Sequence, residues 1–136
     1  MGKKITRREQ REMAFMVLFE WELNGRPMDE VLTDAKDARD LEPSEYILSI
    51  IGAFFEHMEE IDAMIEQYLV DWSKNRLSKA ALAILRLAVC EIKYDPAIPE
   101  SVSINEAVEL AKVYSGEEDA AFINGVLGSL VRESGE

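Results

Sequence analysis

The stretch 77–94 sets the tightest limit on what this chain can become. Ala80, Ala81, Leu82, Ala83, Ile84, Leu85, Leu87, Ala88, Val89 and Ile92 leave it almost no polar face. A helix apolar on most sides has to be surrounded by others, so the segment predicts the middle of a helical bundle. Pro96 and Pro99 end it, because proline cannot donate the helical hydrogen bond and restricts the residue before it. Its flanks are patterned the same way. Residues 6–23 carry apolar rows at 14, 17, 18, 21 and at 16, 19, 23, closed by Asn24-Gly25. A shorter helix over 28–38 turns Val31, Leu32 and Ala35 inward. Residues 44–69 read as one long helix with Ile47, Ile50, Phe54, Ile61 and Ile65 inside, bent at Gly52 or at Glu59-Glu60, and 71–75 as a connection. Ser103-Ile104-Asn105-Glu106 has the spacing of a capping box, which predicts a helix beginning there and ending near Gly116. The last helix, over about 117–131, opens on Glu117-Glu118-Asp119, acidic residues that suit the positive end of a helix. No β-alternation competes. The expected fold is all-α: six to seven helices in one domain, as two packed three-helix-like sub-bundles, about 1–75 and about 76–136.

With 136 residues, 48% of them apolar, the chain is long enough to bury roughly two-thirds of its unfolded surface without a disulfide or metal. Cys90 is the single cysteine and His57 the single histidine, which excludes zinc fingers, disulfide scaffolds and His-based triads. His57 reads as a partly exposed helical residue, and Cys90 as a small core residue. No Gly-rich phosphate cradle or nucleophile elbow is present. The sequence therefore argues against catalysis, a bound metal or a cofactor. Charges interrupt every apolar run well short of the ~20 residues that span a bilayer. Glu20 and Glu22 close the one run that imitates a signal peptide. A cytoplasmic protein without a membrane contact is expected.

The net charge is −12, yet residues 1–11 hold Lys3, Lys4, Arg7, Arg8 and Arg11 against Glu9 alone, a local +4 on a body of −16. On a helix, Lys4, Arg7, Arg8 and Arg11 are spaced by three and four and can project together. Arginine's planar fork suits phosphate. A solvated helix start would need nothing more; the concentration of cations on an acidic chain favours contact with a nucleic acid. Lys79, Arg86 and Lys93, seven residues apart, mark the expected wet stripe of the central helix. Phe122 fits the core or, if exposed, a ring on which an unstacked base could lie.

In order along the chain, Arg7-Arg8-Glu9-Gln10-Arg11-Glu12-Met13-Ala14, Ala83-Ile84-Leu85-Arg86-Leu87-Ala88, Val102-Ser103-Ile104-Asn105-Glu106-Ala107-Val108-Glu109-Leu110-Ala111-Lys112 and Phe122-Ile123-Asn124-Gly125-Val126-Leu127 resemble the NusB family of bacterial transcription antitermination factors. That resemblance implies a non-catalytic factor that binds boxA-type single-stranded RNA of nascent ribosomal transcripts together with the small-subunit ribosomal protein NusE, within an RNA polymerase antitermination complex. It implies an RNA surface of Lys4, Arg7, Arg8, Arg11, Arg86 and Phe122, with Phe19 and Ala81 toward the protein partner. The chain departs from the family pattern at Ala80-Ala81-Leu82, an apolar strip that would equally suit a homodimer. It departs again at Ala120-Ala121, where polar or basic residues are usual. The competing reading is a helical protein-interaction module or homodimer without RNA.

Overall fold

A computed structural model describes residues 6–39, 42–69 and 77–134. Seven helices are found among them: α1 (Arg7–Asn24), α2 (Met28–Arg39), α3 (Glu45–Glu56), α4 (Met58–Gln67), α5 (Lys79–Tyr94), α6 (Glu100–Tyr114) and α7 (Glu117–Ser134). No strand occurs among the described residues. Helix α5 occupies the centre, touching α1, α3, α4, α6 and α7. Every residue from Ala80 to Glu91 on it is buried, as its lack of a polar face predicts.

Local chemistry sets where each helix begins and ends. Thr6 caps α1: its hydroxyl accepts from the Glu9 amide at 3.1 Å, and Glu9 reaches back to the Thr6 amide at 3.0 Å. At the other end Gly25 adopts φ +64°, a left-handed turn that costs glycine little, and its N–H reaches the Trp21 carbonyl at 2.9 Å. Ser78 caps α5 by accepting from the Ala81 amide at 3.0 Å.

Two expectations fail here. The helix over 44–69 breaks at His57, where φ −119° and ψ 22° leave the helical range, and not at Gly52 or Glu59-Glu60. The His57 ring is held there by stacking on Tyr94, 4.2 Å between centroids. Helix α6 starts at Glu100 behind Pro99, so Ser103 lies inside the helix and is no cap. Ser103 is needed elsewhere: buried, its hydroxyl donates to Glu91 at 2.8 Å. The connection expected at 71–75 lies outside the described residues.

Two arginine–carboxylate knots cross the apolar core. In the first, Glu91 of α5 is 1% exposed and receives Arg11 of α1 (Nε, 2.6 Å), the Tyr46 hydroxyl of α3 and Ser103 of α6. In the second, Arg86 of α5 donates Nε and Nη2 to Asp62 of α4 at 3.0 and 2.9 Å, and Nη1 to Glu22 of α1. The Phe54 ring packs against this guanidinium, 5.2 Å from Cζ to centroid, and Trp21 packs edge-on against Phe54. No buried side-chain nitrogen or oxygen among the described residues lacks a partner. Burial disfavours the charge of Arg11, yet the Glu91 hydrogen bonds and charge overcome it and hold the pKa above the ordinary arginine value. Burial also pushes the Tyr46 hydroxyl strongly upward, with the Glu91 charge adding to it, so Tyr46 stays a donor.

Breaking such a knot strands a buried charge. Replacing Glu91 with alanine is expected to cost about 3–5 kcal/mol in chemical denaturation, whereas replacing Arg11 and Glu91 together by methionine should cost far less than the sum of the single changes.

Candidate nucleic-acid interface

The basic front of α1 is where the sequence placed it, but its members have separated. Arg7 and Arg8 are exposed, while Arg11 is 5% exposed and committed to Glu91. The reason is helical geometry. Arg11 stands one turn after Arg7 and Arg8, where α1 has met α3 and α5, so its guanidinium falls between helices. Lys4 lies outside the described residues.

Arg7 is not loose either. Its guanidinium sits 4.3 Å from the centroid of the Tyr46 ring, a cation–π contact that orients it from α3. Arg8 keeps 69% of its side chain exposed, yet Nε and Nη2 donate to both Glu106 oxygens at 3.0 and 2.8 Å. Glu106, with 13% side-chain exposure, also lies 3.5 Å from Arg11 Nη1. An alternating file therefore runs outward from the core: Glu91, Arg11, Glu106, Arg8. The hydrogen bond from Arg8, helped by its charge, holds the Glu106 carboxyl below the usual glutamate range and raises Arg8 in return.

The other expected site residues are placed as follows. Arg86 is 4% exposed inside the second knot, so the wet stripe expected through Lys79, Arg86 and Lys93 does not exist at its middle position. Lys79 is exposed and pairs with Glu22 at 3.3 Å. Phe122 is half-buried and packs against the core. Phe19 is likewise half-buried, stacked on Phe15 with centroids 5.6 Å apart. Ala81 is 1% exposed, with Ala80 and Leu82 buried beside it, so the apolar strip they were expected to leave is covered by the chain's own helices. Cys90 is fully buried, and burial, with the nearby Glu91 and Asp62 charges, pushes its thiol up to about 12.

Sequence reasoning missed the partners: Tyr46, Asp62, Glu91 and Glu106 were not foreseen as such. One signal was available. A carboxylate at 91, inside a helix with no polar face, has to be paired or protonated.

An open groove of about 560 Å³ runs between α6 and α7, lined by Asn105, Lys112, Ala121 and Asn124 among others. Among the described residues no three His, Cys, Asp or Glu side chains converge as a metal site, and no helix is long and apolar enough to cross a membrane.

Residues 8–132 match the model of the NusB family. A transcription antitermination protein NusB of Clostridium botulinum (strain Loch Maree / Type A3) is 43% identical over 141 residues, covering 93% of this chain and all of the relative. The chain belongs to the NusB family. A NusB of Acetivibrio thermocellus is 44% identical, over 93% of this chain and 88% of its own length. Among solved structures, T. maritima NusB superposes with a TM-score of 0.79 at 33% identity, covering 96% of this chain and 94% of its own. The antitermination factors NusB and NusE have been crystallised in complex with double-stranded RNA; a chain of that complex gives a TM-score of 0.86 at 29% identity, over 93% of this chain and 96% of its own. The NusB features that the resemblance rests on thus share one fold with these relatives.

A depressed carboxyl pKa sets the sign of the pH response. The Arg8–Glu106 contact contributes fully above the ordinary glutamate range and is lost as pH falls through the depressed folded value. Carboxyl NMR should find Glu106 titrating below that range, and Arg8→Ala should move its midpoint upward.

Proposed function

We propose that this chain is a transcription antitermination factor that works by binding, not catalysis. It joins a boxA-type single-stranded RNA of a nascent ribosomal transcript and a NusE-type ribosomal protein in the cytoplasm. The observation that carries this reading is the basic front of α1: Arg7 and Arg8 stand exposed next to one another on a chain whose net charge is −12. An acidic body disfavours a polyanion over most of its surface, which favours that front as the place where the strand touches. A basic ribosomal partner supplies the attraction that the rest of the surface lacks. The NusB–NusE relative crystallised with RNA supports the same pairing of ligands, although its RNA is double-stranded, so a duplex belongs in the test as a competitor.

Lys4, Arg7 and Arg8 then carry phosphate contacts, and Phe122, half-exposed, offers a ring edge to a base. Phe19 faces the protein partner in this reading. Arg11 and Arg86 act from inside. They hold α1 in place, and their replacement harms RNA binding through the fold. Withdrawing these two leaves three cations from the expected set, so the chain's own share of the salt dependence is a log–log slope of about −2 on a single strand.

Fluorescence titration of labelled boxA RNA in the presence of NusE checks this. Arg7→Glu combined with Arg8→Glu should abolish RNA binding with helicity unchanged and only a modest loss of melting temperature. Arg11→Ala should weaken binding only in step with lost stability. Unaltered affinity in the double glutamate variant would sink the assignment.

A further inference from the structure

The contact between Arg8 and Glu106 raises a question that the binding reading leaves open. The cation best placed to meet a phosphate already holds a carboxylate through two parallel hydrogen bonds, at 3.0 and 2.8 Å. A phosphate approaching the same fork edge needs the same two donors. We propose that Glu106 is a built-in competitor: a tethered stand-in for phosphate that any RNA has to displace from Arg8 before the front of α1 is fully available. The proposal rests on the RNA-binding reading given above and adds to it a residue of opposite charge.

Two observations support displacement over a fixed scaffold. Arg8 is 69% exposed on its side chain, so an incoming strand can reach its guanidinium from solvent. Glu106 does not lose its only partner when Arg8 leaves, because Arg11 Nη1 stands 3.5 Å away and is itself anchored on Glu91. The carboxylate therefore has a place to remain, charged, beside the incoming strand. There it repels every phosphate by the same amount. That uniform cost lowers the affinity of every strand, so one that adds base contacts still binds where one that offers phosphates alone does not.

The test uses the full chain with NusE and two labelled RNAs of equal length and composition, one boxA and one scrambled, titrated over a range of salt. Glu106→Gln keeps the size and removes the charge. It should tighten scrambled and boxA RNA alike, by about threefold to tenfold, and leave the ratio between them unchanged. With Arg8 released, the slope for either RNA should steepen by about 0.7, the increment for one more phosphate on a single strand. Glu106→Asp, which retains the charge, should keep the unmodified affinities, and Arg8→Ala combined with Glu106→Gln should erase the gain. Equal or weaker RNA binding by Glu106→Gln, measured where circular dichroism shows the variant folded, overturns the proposal. In that event loss of binding in Arg7→Glu with Arg8→Glu still upholds the broader reading. Failure of the unmodified chain to bind either RNA overturns both.

Discussion

One carboxylate organises this molecule. Glu91 stands on α5, which touches five other helices, and it gathers Arg11, Tyr46 and Ser103 from α1, α3 and α6. Hydrophobic burial holds helices together without choosing their rotation, since apolar contact is not directional. A buried charge is directional: it is tolerated only where donors converge on it. The Glu91 knot therefore selects one arrangement of four helices, and the Arg86 knot does the same for α1, α4 and α5 through Glu22 and Asp62. Both arginines had been expected to face RNA. Instead they fix the helices that carry the exposed ones.

That division explains which parts of the structure could be read from the residues. The helical segments themselves, the end of α1 at Gly25, the proline-bounded end of α5 and its central place all follow from periodicity and turn chemistry, which are local. The errors share another cause. Arg11, Arg86 and Ser103 look like surface cations and a helix cap when only their neighbours along the chain are considered. Each is committed to a partner at least 12 positions away: Arg11 to Glu91 at a separation of 80, Arg86 to Asp62 at 24, Ser103 to Glu91 at 12. Spacing along one helix gives the face a side chain shares, not what the fold brings opposite it. The break at His57 is of the same kind, with Tyr94 of α5 stacked on its ring.

For the candidate interface, the consequence is a smaller and more defined set of groups. Arg7 is oriented by Tyr46, the same side chain that donates to Glu91. Arg8 is oriented by Glu106, which neighbours Arg11. The exposed cations are thus connected to the core by one or two contacts each; for Arg7 the ordering of a long flexible side chain has been partly met before a ligand arrives, whereas Arg8 has first to give up Glu106.

The state of Cys90 has a practical corollary. Its sulfur is enclosed by the central helix's neighbours, and its proton is held too firmly for thiolate chemistry at neutral pH. Alkylating reagents and oxidants will pass it by while the chain is folded. A cysteine introduced at an outer position can therefore carry a dye or spin label alone, on the otherwise unaltered background, and motions of the first helix can be followed without first engineering the native thiol away.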